Sequence, residues 1–129
     1  MLRSTLYLTA AALLVAMPTG AAAQQANCED AAARVNSATL PRVGAREWND
    51  WFTLTGCGAR GAAVVASALQ SDALRTETEL SRLDHLTNLL DGWFQPSLIT
   101  AYETLLRTPD ASYAVRLRSM WLLGGLLAP

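Results

Sequence analysis

Few side chains in this sequence are of a type and spacing to do chemistry. His85 is the lone histidine of 129 residues. Asp84 precedes it and Asp91 follows it, so an imidazole general base beside a carboxylate is the one catalytic arrangement the residues suggest. The leucine pattern around it predicts a helix on which His85 sits between the inward and outward stripes, a common position for a boundary histidine. It has no Cys, Asp or Glu partners at metal-ligand spacing, so no zinc site is expected. A second candidate is Gly56-Cys57-Gly58-Ala59-Arg60-Gly61, which has the form G-x-G-x-x-G ahead of a helix, with Glu77 downstream where a ribose-binding acid would stand. A dinucleotide fold also needs a second parallel strand ending at that acid, and Ser71 to Thr78 is too polar to be one. The glycines read as a helix-breaking turn, and no cofactor is expected.

The remaining reactive pair is Cys28 and Cys57, and its meaning depends on the compartment. Arg3, an apolar run from Leu6 to Met17, a Pro18-Thr19-Gly20 break and Ala21-Ala22-Ala23 form the three regions of an export signal, with cleavage expected after Ala23. The apolar run falls short of the roughly 20 residues that span a bilayer, so no stable membrane span is expected after cleavage. Asn27 before Cys28 argues against a lipid-modified cysteine. The expected location is periplasmic or secreted, where an isolated cysteine pair reads as one disulfide. Two separate buried thiols, each a small apolar residue, are the alternative.

These segments divide the chain into a signal peptide (1–23), an N-terminal helix and linker (24–44) and a helical domain (45–129). The part after residue 23 suffices for one domain with its own core. Ten basic residues oppose eleven acidic ones, and every basic side chain other than His85 is arginine. The arginines are scattered, leaving neither a nucleic-acid footprint nor a polybasic membrane patch.

Helical periodicity dominates from residue 28 onward. Asn27 reads as an N-cap for a short helix over 28–37, ahead of Leu40-Pro41 and Gly44. A second helix from about Ala45 carries Trp48, Trp51 and Phe52 on one face and stops at Gly56. Residues 61–70 form an Ala/Val/Leu helix whose small side chains admit a close neighbour, and 71–78 a polar loop. Residues 79–91 place Leu80, Leu83, Leu86, Leu89 and Leu90 in one stripe closed by Gly92. Pro96 opens the next helix, burying Leu98, Ile99, Tyr102, Leu105 and Leu106 and forming a hairpin with the one before. After Thr108-Pro109-Asp110 the last helix runs from Tyr113 to Leu127. No stretch alternates long enough to be a strand, so the fold class is all-α.

The segment Pro109-Asp110-Ala111-Ser112-Tyr113-Ala114-Val115-Arg116-Leu117-Arg118-Ser119-Met120-Trp121-Leu122-Leu123-Gly124 resembles the HEAT-repeat pattern: a Pro/Asp turn, a helix bearing Val-Arg, then Leu-Gly. The likeness extends over residues 45–127 and is sharp over 109–124. It implies a short right-handed α-solenoid of antiparallel helix pairs that serves as a protein-binding scaffold. Carried over by position, Asp110 is the turn residue, Val115 and Leu122 face the core, and Arg116 reaches back to a turn of the preceding repeat. Met120 and Trp121 depart from the pattern by standing where small residues are usual. The pattern also expects a further helix after Leu127.

Beyond Ser119 the last helix is apolar all round, and a helix with no polar side must be covered. Met120, Trp121, Leu123 and Leu127 are therefore expected to bind a protein or peptide partner, or a second copy of the chain. The four tryptophans, Trp48, Trp51, Trp93 and Trp121, fill the core more readily than they line a groove. The residues favour an exported binding module without catalysis. A small exported hydrolase using His85, or an accessory subunit of a larger complex, are the competing readings.

Overall fold

A computed structural model describes residues 20–36 and 39–127. It is all-helical over that range: α1 (Gly20–Asn36), α2 (Trp48–Thr55), α3 (Gly58–Leu69), α4 (Asp72–Arg75), α5 (Leu80–Leu90), α6 (Pro96–Arg107) and α7 (Tyr113–Leu127). Of the expected signal peptide, residues 1–19 lie outside the described residues.

The first helix begins well before Asn27. Ala21-Ala22-Ala23-Gln24-Gln25-Ala26 are strong helix formers, so nothing in the chain stops the helix at the expected cap. Glu29 and Asp30 accordingly lie within the helix and not in its first turn. Only a narrow face of α1 is buried, through Ala31 and Val35, one turn apart.

α2 begins at Trp48, after a turn in which the Ala45 N–H donates to the Arg42 carbonyl. The Trp48 indole N–H donates to that same carbonyl at 2.9 Å, so the ring is buried with its polar edge satisfied. Trp51 and Leu54 share the buried face, whereas Phe52 is 68% exposed. Phe52 follows Trp51 by one residue, about 100° round the helix, and this carries it past the narrow strip that α1 and α3 cover.

Gly56 caps α2, and Gly58 takes the left-handed conformation (φ 63°) that turns the chain directly into α3. Residues 51–55 are helical, so the G-x-G-x-x-G run joins two helices. Its last glycine has a packing reason. A Cβ on Gly61 would stand 2.0 Å from the Leu54 carbonyl oxygen, so α3 crosses the end of α2 at backbone contact. Cys28 and Cys57 lie at disulfide distance, 2.08 Å between sulfurs, and join α1 to the entry of α3.

The polar stretch after α3 contains one helical turn, α4, which buries Leu74. α5 buries Leu83, Leu86 and Leu90, with Thr87 returning its hydroxyl to the Leu83 carbonyl at 2.6 Å. Leu80, at the first turn, is exposed. Gly92 (φ 78°) follows the helix as a terminating residue, and Pro96 opens α6. α6 buries Leu98, Ala101, Tyr102 and Leu105 and leaves Ile99 and Leu106 half-buried. Burying each of these leucines contributes roughly 1.5–3 kcal/mol.

Packing joins helices adjacent in sequence and helices further apart alike: α1 on α2 and α3, α2 on α3, α3 on α6, α6 on α7, and α5 on α7. The expected α5–α6 hairpin is therefore modified, since the backbone of α5 lies chiefly along α7. Side chains of α5 and α6 still converge with those of α7 around a small apolar hollow of about 30 Å³. One continuous core runs from Ala31 to Leu122. No described helix is long and apolar enough to cross a membrane.

Candidate partner-binding groove

α7 owes its start to Ser112. Its Oγ accepts the Val115 N–H at 3.1 Å, as a helix cap does, and its hydroxyl donates to the Glu77 carbonyl at 2.6 Å. The Ser112 N–H donates to the Arg75 carbonyl at 2.9 Å. Arg75 in turn pairs with Asp110 at 2.9 Å and with Asp72 at 2.7 Å. The turn that launches α7 is thus tied to α4 and the loop after it. Asp110 lies in the turn before α7, where it makes this pair with Arg75. Arg116 is half-buried, and among the described residues its guanidinium has no hydrogen-bond or ion-pair partner; its Nε is buried and unmatched.

The inner face of α7 carries Val115, Ser119 and Leu122 at i, i+4, i+7, with the Ser119 hydroxyl turned back to the Val115 carbonyl at 2.9 Å. Leu123 is half-buried against the core. The other side is open: Met120 is 55% exposed and Trp121 is 54% exposed. Leu127 ends the helix, and its side chain lies outside the described residues. The expected partner-binding residues therefore divide, with Met120 and Trp121 presented at the surface and Leu123 leaning into the core.

Two contacts set the direction of α7 against α5. Arg118 pairs with Asp84, and a Cβ on Gly125 would stand 4.0 Å from the Asp91 carboxylate. Both positions advance by seven residues along each helix, so α5 and α7 run side by side in the same direction. A groove of about 650 Å³ lies along α7, lined by its Leu117, Arg118, Met120, Trp121, Gly124 and Gly125 and by Asp91, just past the end of α5. Trp121 and Arg118 also border a more polar extension toward Asp84, Thr87 and Asn88. Gly124 leaves the floor open, for a Cβ there would meet nothing within 4 Å.

The charges of the groove are unevenly matched. Arg118 is neutralised by Asp84, while the Asp91 carboxylate has no ion-pair partner among the described residues. Asp91 stands beyond the C-terminal end of α5, and neither α5 nor α7 has a basic residue in its last turn. Two helices running in parallel bring their negative ends to this same side.

The other candidates are arranged differently. His85 lies against the buried Trp48, ring centroids 4.4 Å apart, in a tilted aromatic contact between α5 and α2. Among the described residues its imidazole has no hydrogen bond to a carboxylate or hydroxyl, although Asp84 adjoins it in sequence. The hollow beside the cysteine pair is rimmed by Glu29 and Arg60, which close on each other at 3.5 Å. Among the described residues no cluster of His, Cys, Asp and Glu could hold a metal ion. Inside the core, the Tyr102 hydroxyl is buried with no hydrogen-bond partner among the described residues, and burial pushes its phenol pKa well above the ordinary value. Sequence reasoning missed Ser112 and Arg75 as the ties of α7. A serine just before a helical run is a signal for the first, while nothing local marks the second.

No family model, no curated protein and no solved structure matches the chain.

Proposed function

We propose that this protein is an exported HEAT-like helical-repeat module that binds a protein or peptide in the groove between α5 and α7. The single observation that carries the reading is the exposure of Met120 and Trp121 over an apolar groove on a helix whose opposite face is already in the core. Large apolar side chains grouped at one open site, with polar residues at its edge, are the mark of a binding surface.

The scaffold part of the reading draws on the order of helix contacts. Taking the six longer helices alone, α1, α3 and α6 touch in succession, and α5 lies along α7. The Trp48–His85 contact links α2 to α5. Two such rows, each helix resting on the next of its own row, are the arrangement that stacked helix pairs produce. The likeness of residues 109–124 to a HEAT repeat agrees with it. Export accords with the cysteine pair at disulfide distance, since such bonds persist in oxidising compartments.

Affinity capture from the exported fraction of the source cells tests the binding role. A partner retained by the wild-type protein and lost on Trp121→Glu and Met120→Glu, with helicity unchanged, is the expected result. Retention of the same partner by both variants overturns the groove as the site. N-terminal sequencing of the exported protein tests the processing: a chain beginning at Gln24 is expected, and one beginning at Met1 removes the export reading.

A further inference from the structure

We infer that the occupant of the α5–α7 groove is an amphipathic helix presenting a basic side chain to Asp91; this rests on the binding role proposed above and names its partner. The shape argument comes first. The groove runs along the exposed side of α7 and continues, past Arg118 and Trp121, into the polar hollow against Asp84, Thr87 and Asn88 of α5, and a third helix is the body that fills such a furrow with its apolar stripe. The floor here is Leu117, Met120 and Trp121, with Gly124 giving a side chain from the occupant room to enter.

Charge then selects among apolar helices. Along the groove the one arginine is spent on Asp84, so it has little left to offer an acidic ligand. The far end collects three negative features: the carboxylate of Asp91 and the C-terminal ends of α5 and α7, where neither last turn supplies a basic residue. A lysine or arginine on the occupant would neutralise Asp91 there. Its stem would lie along the groove beside Trp121, whose exposed ring also attracts a cation. An acidic helix would meet uncompensated repulsion at the same place. The occupant's own dipole favours the antiparallel direction, its N-terminal end toward Asp91.

The test uses the purified protein and two synthetic amphipathic Leu/Ala helices, identical except for lysine or norleucine at the position that meets Asp91. Binding is measured by calorimetry at low and high salt. The lysine peptide should bind about fivefold tighter, a preference that salt narrows and Asp91→Asn removes. Gly124→Leu, which fills the open floor, should abolish binding of both peptides while helicity is retained. Equal affinity of the two peptides for the wild-type protein overturns the basic occupant and leaves the groove as a binding site. Failure of both peptides to bind removes the helical occupant and counts against the binding role itself. A concentration-dependent dimer that Met120→Glu disperses would give the groove to a second copy of the chain and overturn the proposal in a third way.

Discussion

At one end of the molecule α1 is held to α2 and α3 by a cysteine pair and by the small apolar footprint of Ala31 and Val35. At the other end α7 is held to α4 and α5 by polar ties that reach across more than thirty residues of sequence: Arg75 to Asp110, Ser112 to Glu77, Arg118 to Asp84. The ion pairs of the first region, Arg34–Asp50 and Arg60–Glu29, are well exposed on the arginine side and add little. Those of the second use arginines whose side chains are about one-fifth exposed, with guanidinium stems packed against the helices. The difference teaches how each end meets its needs. α1 offers few fully buried apolar side chains, and a covalent link adds to its packing. α7 has apolar surface to spare on both sides, so polar ties are enough to orient it, and the unused side becomes the groove.

The largest effect expected from breaking this contrast is at the cysteines. Cys28→Ser with Cys57→Ser should lower stability by about 3–4 kcal/mol, the loop-closure value for this separation, read from urea unfolding. Protease cutting should then begin within α1, and an unchanged midpoint would show that packing alone holds that helix. Next come the two glycines of opposite environment. Gly61→Ala drives a methyl into the Leu54 carbonyl and should cost about 1–3 kcal/mol or more. Gly124→Ala enters open space within a helix and should stabilise by up to about 1 kcal/mol. Loss of stability in both would mean that α7 is more tightly enclosed than its surface indicates.

Ser112→Ala removes the cap of α7 and the link to Glu77 together, and should cost about 1–2 kcal/mol. Amide exchange should quicken in the first turn of α7 before it does in α3. The smallest change has the less familiar sign. Tyr102→Phe deletes a buried hydroxyl with no partner among the described residues, so stability should hold or rise by about 1 kcal/mol. The raised phenol pKa adds a pH test. Above the ordinary tyrosine value the unfolded chain releases this proton and the folded chain keeps it, so wild-type stability falls as the solution becomes more alkaline. The Phe variant should lose that part of the alkaline slope, and an identical slope would show that Tyr102 is not protected.

Much of the helical content was legible in the chain because each helix announces itself locally. The Leu83–Leu86–Leu90 spacing, Pro96 at a helix start and Gly92 after a helix end act within a turn or two of their own position. The limits of α1 were less legible, since Asn27 can cap a helix yet also continue one that alanines have begun upstream. Phe52 was misassigned because a helical face is only as wide as its neighbours make it. The groove was half legible: the excess of apolar residues after Ser119 is visible in one dimension, and the choice of Met120 and Trp121 as its open part is not. Leu123, equally apolar, leans into the core because of where α6 and α5 lie.

What the sequence by itself determined is the all-helical character, the turns, and the surplus of apolar surface on the last helix, for these follow from propensity and periodicity within a few residues. The tertiary structure alone decided that α5 runs along α7 in the same direction, that Arg75 meets Asp110, and that Asp91, beside Trp121, has no counter-charge among the described residues. Those outcomes depend on which helices share a neighbour. Such contacts join residues far apart in the chain, and no local preference encodes them.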